Sequence, residues 1–203
     1  MPVNMVVGPP GSGKSFTLAR IAARRLAKDS RPVFANFDIA GAQRFDIAEM
    51  ADLPPCTLIV DEAQNWFHSR MWQTMPTSML ERWSQTRHMG WDIYLGTQHE
   101  SNVDSVVRRV VQYGWLLEPR WQSLSVLDPR VRRTAKSAGD PVRYHRHPMS
   151  VHADVWFFPD FRSRQKGRRP IRSHSFPWSW SVADSYNTHE MTSLRSEPAN
   201  RKR

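Results

Sequence analysis

The sequence has few of the features that mark secreted or membrane-spanning proteins. It contains one cysteine, Cys56, among 203 residues, so an internal disulfide is excluded and a reducing compartment is expected. No stretch approaches the ~20 apolar residues that a helix needs to cross a bilayer. The N-terminus lacks the basic and apolar segments of a secretory signal, and no internal repeat is present. These absences predict a soluble protein.

Acidic residues are scarce relative to basic ones. Asp and Glu number 19 against 29 Lys and Arg, which gives a formal net charge of +10 at pH 7. Such an excess favours a polyanionic partner, although a basic but merely solvated surface gives the same balance. With 203 residues, the chain is long enough for one α/β domain and an accessory segment but hardly for two full domains.

The first part of the chain alternates between apolar runs and helical patterns. The apolar runs predict strands at residues 3–7, 32–36, 57–60, 92–97 and 110–117. The helical patterns predict helices at residues 15–27, 77–88 and 102–109. Continuous apolar strands joined by helices are typical of a mostly parallel, doubly wound sheet with helices on its faces. We therefore predict an α/β core over residues 1–118.

Residues 119–203 differ in composition from this core. They are rich in Pro, Arg and Ser and show little periodicity, which predicts an accessory segment of short strands and loops with an extended basic tail. Six cations fall within eleven residues: Arg162, Arg164, Lys166, Arg168, Arg169 and Arg172. Two tryptophans, Trp178 and Trp180, follow them. Such a tail suits the phosphates and bases of single-stranded nucleic acid, with a solvated or disordered tail as the alternative.

The octapeptide GPPGSGKS lies between the first predicted strand and the first predicted helix. It fits the phosphate-binding pattern G-x-x-x-x-G-K-[ST] through Gly8, Gly13, Lys14 and Ser15. In such a loop the backbone N–H groups surround the phosphates, the lysine reaches the β and γ oxygens, and the hydroxyl ligates Mg²⁺. ATP and Mg²⁺ are therefore the predicted ligands. The remaining predicted nucleotide-contacting residues are Pro9, Pro10, Gly11, Ser12 and Phe16.

Two carboxylates follow the predicted strand at residues 57–60. Asp61 is placed to hold Mg²⁺, and Glu62 is placed to accept a proton from an attacking water. Acidic residues also commonly open a helix, which is the alternative reading of this pair. A further polar pair, Thr97 and Gln98, ends the strand at residues 92–97. From there Gln98 can contact a γ-phosphate or orient water, unless it belongs to a simple strand-ending turn.

Taken together, four segments resemble the zonula occludens toxin-like family, the assembly ATPases of filamentous phages, which belongs with the FtsK/HerA-like P-loop motors. The segments are GPPGSGKS, LIVDEAQNWF, ERWSQTRHMGWDIYLGTQ and VDSVVRRVV, within residues 1–118. The resemblance implies a P-loop NTPase fold and assigns roles to five residues. Lys14 and Ser15 become the Walker A pair, Asp61 and Glu62 the Walker B pair, and Gln98 the sensor.

Two arginines extend the resemblance. Arg87 and Arg108 occupy positions where the family has arginines, and ring-shaped motors of this superfamily use an arginine of one subunit to complete the neighbour's site. Arg108, with Arg109 beside it, is the candidate for that role. The alternative is an arginine at a helix end that faces solvent or touches DNA.

The resemblance implies an ATP-hydrolysing motor that translocates single- or double-stranded viral DNA, either in genome packaging or in filamentous-phage assembly. It further implies a homo-oligomeric ring, taken as a hexamer, in the host cytoplasm, at the cytoplasmic face of the membrane or with the virion. Capsid or membrane assembly proteins are the implied partners. Filamentous-phage members usually carry a membrane-spanning helix after the ATPase domain, and this sequence shows none. The chain is therefore expected to be a truncated cytoplasmic domain or a soluble packaging relative.

Two other functions stay open at this point. GPPGSGK also resembles the loop of adenylate kinase, so a small nucleotide or metabolite kinase is one alternative. That reading does not explain the Asp61-Glu62 pair or the excess of positive charge. The other alternative is a nucleotide-gated assembly adaptor that binds ATP without turnover, which a measurable ATPase rate would exclude.

Overall fold

A computed structural model describes residues 2–28, 30–67, 85–86, 88–123, 146–161 and 169–187. The strands are β1 Val3–Val7, β2 Val33–Ala35, β3 Asp38–Ile39, β4 Gln43–Arg44, β5 Thr57–Val60, β6 Asp92–Thr97, β7 Tyr113–Ser123, β8 Arg146–Phe157, β9 Arg172–Pro177 and β10 Tyr186–Asn187. The α-helices are α1 Lys14–Lys28, α2 Ser105–Val110, α3 Phe158–Phe161 and α4 Trp180–Ala183. Short 3₁₀ helices cover Ile47–Asp52, Ala63–Asn65 and Glu100–Asn102.

The main sheet has eight strands in the order β4-β2-β5-β6-β1-β7-β8-β9. In this order, each strand from β4 across to β7 pairs with its neighbour in parallel. The last two pairs, β7 with β8 and β8 with β9, are antiparallel. A separate two-stranded sheet joins β10 to β3. The predicted α/β class with a mostly parallel sheet is confirmed. Because the carboxyl ends of the parallel strands meet at one edge, the loops after β1, β5 and β6 are brought together there.

Apolar side chains cover both faces of the sheet. All five residues of β1 are buried, and its apolar side chains divide between two clusters: Met5 packs in one and Val6 in the other. Helix α1 covers the second cluster with Phe16, Leu18 and neighbouring alanines. Its first turn carries no acidic residue, so its N-terminal N–H groups and positive dipole end remain suited to an anion.

Several predicted element boundaries differ in the structure. The strand predicted at residues 110–117 begins only at Tyr113, because α2 continues to Val110. Asp104 caps that helix by accepting the Val106 N–H at 2.7 Å. Asn36, predicted as the last residue of a strand, lies just beyond β2. The helix predicted at residues 77–88 falls largely outside the described residues.

The segment after residue 118 contains longer strands than predicted. β7 and β8 have 11 and 12 residues, and their pairing carries β7 past the predicted boundary at 118/119. Long-range hairpin pairing stabilises these strands although prolines and charges obscure their alternation in the sequence. The division of the chain into a core and an accessory domain stays a prediction.

The single cysteine lies in the core. Cys56 is fully buried, and burial raises the pKa of its thiol to about 12, so the thiolate is suppressed at neutral pH. Within the part of the chain that the structure describes, no helix is both long and apolar enough to cross a bilayer.

Candidate nucleotide-binding site

The loop from Gly8 to Gly13 follows β1 and is tightly wound. The Ser12 N–H donates to the Pro9 carbonyl at 3.1 Å. A Cβ added to Gly8 would lie 2.4 Å from Ser12 Oγ, and one added to Gly13 would lie 2.6 Å from a methyl carbon of Val151 in β8. Gly13 also has a φ of +86°, which disfavours side chains. Glycine is therefore required at both positions for the backbone to adopt this cradle.

Lys14 reaches back over the loop. Its Nζ donates to the carbonyl oxygens of Gly8 and Pro9 at 2.9 and 3.1 Å, and the residue is only 6% exposed. Nearby, Ser12 Oγ is buried without a hydrogen-bond partner. A buried ammonium and an orphaned hydroxyl beside inward-turned glycines fit the phosphate chain of a nucleotide, because phosphate oxygens accept from both.

Ser15 and Asp61 meet at the centre of the site. Ser15 Oγ donates a hydrogen bond to Asp61 Oδ2. Asp61 is only 1% exposed. Its Oδ1 accepts a hydrogen bond from the Glu62 N–H at 2.9 Å. A hydroxyl and a carboxylate are the oxygen ligands that Mg²⁺ prefers. Ser15 and Asp61 thus fit the metal that a nucleotide brings.

Burial raises the pKa of the Asp61 carboxyl. The hydrogen bonds from Ser15 and the Glu62 N–H act in the opposite direction, as does the charge of Lys14, whereas the charge of Glu62 raises the pKa further. An ionised Asp61 therefore destabilises the folded protein in the absence of a cation, since its hydration is lost. A bound cation would offset this cost.

Two residues that sequence reasoning missed position Asp61. The Asn36 side chain makes two hydrogen bonds to the backbone of Asp61. Its Oδ1 accepts from the Asp61 N–H at 2.8 Å, and its Nδ2 donates to the Asp61 carbonyl at 2.9 Å. Gly96 lies in β6, the strand between β5 and β1. A Cβ there would lie 2.7 Å from Asp61 Oδ1, so only glycine lets the carboxylate cross β6 toward Ser15. A glycine inside an apolar strand was the available signal.

Glu62 is held in an unusual conformation by its neighbours. It has φ 49° and ψ 47°, and it alone among the described non-glycine residues has a positive φ. Its carboxylate accepts a hydrogen bond from Gln64 Nε2, and Gln64 Oε1 accepts from Thr97 Oγ1 at 2.9 Å. The Thr97 carbonyl in turn accepts the Gly8 N–H at 3.3 Å. This chain of contacts connects Glu62 to the end of β6 and to the phosphate loop.

The other predicted site residues lie in different settings. Gln98 is exposed and directly follows Thr97; it is Thr97, not Gln98, that bonds to Gln64. Pro9, Pro10 and Gly11 are exposed on the outer side of the loop. Phe16 is buried and stacks on Trp178, with ring centroids 4.4 Å apart.

Of the two predicted arginines, the structure describes Arg108. Arg87 lies outside the described residues. Arg108 sits in the last turn of α2, half-buried, and its Nε is buried without a hydrogen-bond partner. Among the described residues, no hydrogen bond or ion pair joins Arg108 to Lys14, Asp61 or Glu62.

The C-terminal segment packs close to the site. Trp178 stacks on Phe16 of α1, and Tyr186 of β10 packs edge-on against Phe37 at 6.3 Å. The pKa of Tyr186 is raised by burial and then by the Asp61 carboxylate. Because its ring stacks on Phe16, Trp178 contributes to packing in this structure, whereas the sequence suggested that it stacks on a base.

Replacing Asp61 by asparagine is expected to stabilise the nucleotide-free protein. The folded pKa is raised, so the cost of the ionised carboxylate is fully present above that pKa and is lost as pH falls from the folded pKa toward the unfolded one. Asp61→Asn should therefore melt about 2–4 °C higher than wild type at neutral pH, on the order of 1 kcal/mol, and the difference should shrink on acidification.

Thermal melting across pH, in EDTA, measures this effect. Asp52→Asn, which changes an exposed carboxylate in the same way, is the matched control and should not alter the melting temperature. An Asp61→Asn protein that melts below wild type at neutral pH would contradict the argument, because it would mean that the carboxylate stabilises the fold.

The comparisons with known proteins agree with this architecture. A sequence profile of the family described as zonular occludens toxin (Zot) matches residues 42–120, so the predicted family resemblance is confirmed. No curated protein sequence matches the chain. The N-terminal domain of zonular occludens toxin from Neisseria meningitidis superposes with a TM-score of 0.53 and 19% identity, over 92% of this chain and 100% of that one.

Viral proteins share the fold as well. B204, the DNA-packaging ATPase from Sulfolobus turreted icosahedral virus, has a TM-score of 0.53 and 12% identity over 88% of this chain and 98% of its own. The genome packaging NTPase B204 from Sulfolobus turreted icosahedral virus 2, in complex with ATPγS, has a TM-score of 0.50 and 13% identity over the same shares, 88% and 98%. At these identities the likeness establishes the P-loop NTPase fold.

Proposed function

We propose that this chain is an ATP-hydrolysing motor of viral or phage assembly that moves DNA. The observation that carries the proposal is the hydrogen bond from Ser15 to Asp61, with the Lys14 ammonium held over the preceding loop. Together they put a phosphate cradle, a metal-ligand pair and an adjacent carboxylate, Glu62, at one edge of the sheet. This set of groups is the one that nucleoside triphosphate hydrolysis requires.

Each residue has a distinct task in this proposal. Lys14 binds the phosphate chain, while Ser15 and Asp61 hold Mg²⁺, which would neutralise charge that develops on the phosphates. Glu62 accepts a proton from the attacking water. Gln64 and Thr97 are positioning residues, because they hold the Glu62 carboxylate beside the phosphate loop.

DNA as the moved substrate is supported by charge and by relatives. The formal net charge of +10 suits a polyanion. The structural neighbours are described as a DNA-packaging ATPase and as a genome packaging NTPase. The described C-terminal strands add basic side chains, including Arg172, to the β9 edge of the sheet.

The test is steady-state ATP hydrolysis with and without DNA. The proposal expects hydrolysis that DNA accelerates and DNA binding that weakens steeply with salt, with a slope near −0.9 per neutralised phosphate for duplex and near −0.7 for single strands. Phosphate transfer to a nucleoside monophosphate or metabolite, without any response to DNA, would favour the kinase. Nucleotide binding without turnover would favour the adaptor.

The structure sets limits on truncations used in this test. Removing residues from Arg162 onward would delete β9, which pairs with β8, and Trp178, which stacks on Phe16. Such a truncation exposes apolar surface on α1 and in the sheet. A deletion that begins after Asn187 keeps every described element and still removes Arg195, Arg201, Lys202 and Arg203.

Arg108 is proposed to act on the site of a neighbouring subunit in a ring, taken as a hexamer. Its place in the last turn of α2 and the absence of a hydrogen bond or ion pair to Lys14, Asp61 or Glu62 among the described residues support an intersubunit role. Arg108→Ala should bind ATP almost normally and hydrolyse it slowly, and mixing it with Lys14→Ala protein should partly restore the rate. Undiminished turnover of a strictly monomeric Arg108→Ala protein, checked by light scattering, would remove the arginine from this role.

A further inference from the structure

A second concave site lies at the opposite end of α1 from the phosphate loop. It is a cavity of about 530 Å³, within the range of ligand sites in proteins. Its floor includes Pro2 and Asn4, at the amino end of β1, whereas Gly8 follows the carboxyl end. Helix α1 has 15 residues, so about 20 Å separates its two ends.

The lining of this cavity is basic. None of the described residues that line it has a carboxylate. Four of them are cations: Arg24, Arg25, Lys28 and Arg172. Arg25 is engaged with Asp92 at 2.9 Å and with the Tyr94 hydroxyl at 3.2 Å. Arg24, Lys28 and Arg172 are exposed, and no carboxylate among the described residues pairs with them. Their charge is therefore available to an anion.

Aromatic rings form another part of the cavity lining. Tyr113 stacks on Phe157 with ring centroids 5.5 Å apart, and Trp115 stacks on His174 at 5.7 Å. Phe157 and Ile171 are each 51% exposed. They are the two exposed large hydrophobic residues in the described part of the chain. An exposed ring at a basic cavity suits a flat ligand that is both apolar and anionic.

The electrostatics of His174 show that two of the cations act at one point. The pKa of its imidazole is lowered by burial and then by the charges of Arg172 and Arg24. These two arginines belong to β9 and α1, elements far apart in the sequence, and their fields converge at the His174 ring. Two arginines from different elements thus place positive charge on one part of the cavity lining, which suits a phosphate.

We propose that this cavity binds single-stranded nucleic acid, with an unpaired base against the Tyr113–Phe157 rings and flanking phosphates on Arg24, Lys28 and Arg172. A duplex keeps its bases inside the helix, so it cannot place one in a cavity, whereas an unpaired strand can stack a base on an exposed ring. The proposal rests on the function proposed above and names where that substrate is held. Because α1 begins in the phosphate loop and ends at this cavity, one rigid helix connects the two sites.

The test measures binding of a fluorescent 20-nucleotide oligo(dT) by anisotropy, with the full chain, from 50 to 200 mM NaCl. Arg172→Gln should weaken binding about fivefold at 0.1 M salt and reduce the salt slope by about 0.7, and Arg24→Gln/Arg172→Gln should reduce the slope by about 1.4. Phe157→Ala should weaken binding about 5- to 100-fold while leaving the slope unchanged. The charge and the stacking contributions are thus separated by the slope.

The matched control is Arg44→Gln. It removes the same charge from β4, at the other edge of the sheet, where Arg44 pairs with Asp38 at 2.7 Å. Its affinity and slope should equal those of wild type. Melting temperatures establish that every variant is folded, and Arg24, Arg172 and Phe157 are all exposed, so no replacement removes a fully buried side chain.

Three results would overturn the proposal. Cavity variants that bind oligo(dT) as wild type and Arg44→Gln do would place the strand elsewhere and leave the motor function intact. Thymidine monophosphate that competes as strongly as the oligonucleotide would make the cavity a mononucleotide site. Wild-type protein that hydrolyses ATP but binds no oligonucleotide at 50 mM salt would contradict both this proposal and DNA as the moved substrate.

Discussion

Glu62→Gln is expected to bind ATP with nearly wild-type affinity and to hydrolyse it about 10²- to 10⁴-fold more slowly. The amide has the size of the carboxylate and can still accept the hydrogen bond from Gln64, so the loop after β5 should keep its geometry. What the amide lacks is the basicity needed to take a proton from water. The loss therefore appears in kcat and not in binding.

Single-turnover hydrolysis and equilibrium binding of a fluorescent ATP analogue measure the two quantities separately. Glu49→Gln makes the same change at an exposed position in the 3₁₀ helix Ile47–Asp52 and should leave both unchanged. If purified Glu62→Gln protein retained full turnover, Glu62 would lose its place as the general base. Another group would then have to accept the proton.

Lys14→Met is expected to lose nucleotide affinity itself, by about 10²- to 10⁴-fold. The ammonium is buried over the loop, where it donates to the carbonyls of Gly8 and Pro9, and a phosphate chain offers it charged acceptors in the same place. Hydrogen bonds to charged groups contribute about 1.5–3 kcal/mol each, and two such bonds account for the expected range. Methionine keeps the length and apolar stem of lysine but donates nothing.

The measurement is the dissociation constant for the same fluorescent ATP analogue, with the melting temperature as a check of folding. Glu62→Gln serves as the reference, since it alters the neighbouring chemistry while it preserves binding. Lys14→Met protein that is folded and binds ATP as tightly as Glu62→Gln would show that the loop holds phosphate through its backbone alone. That outcome would contradict the role given to Lys14.

The two variants together separate binding from chemistry in this site. Lys14 belongs to the first turn of α1 and is proposed to contact phosphate in the ground state, whereas Glu62 follows β5 and is proposed to act on water. A protein whose Lys14 and Glu62 variants both lost only binding would have no catalytic base at Glu62. A protein whose variants both lost only turnover would hold its nucleotide by other groups.

The amino-acid sequence by itself determined the parts of this protein that depend on neighbours in the chain. The phosphate loop is such a part, because Gly8, Gly13 and Lys14 act through backbone conformation and reach within a few residues. The buried strands β1, β5 and β6 were predicted with the bounds that the structure has, since their continuous apolar runs leave little ambiguity. The candidate pair Asp61 and Glu62 followed from the end of such a run.

Only the tertiary structure decided which distant residues meet. The opening at Gly96 that lets Asp61 reach Ser15 depends on the strand order, in which β6 lies between β5 and β1. The contact of Glu62 with Gln64 and Thr97 joins two loops. The basic cavity needs the long hairpin β7–β8 and the edge strand β9 to pack against α1. No local pattern encodes these contacts, because they depend on strand pairing over long sequence separations, which packing of the whole sheet selects.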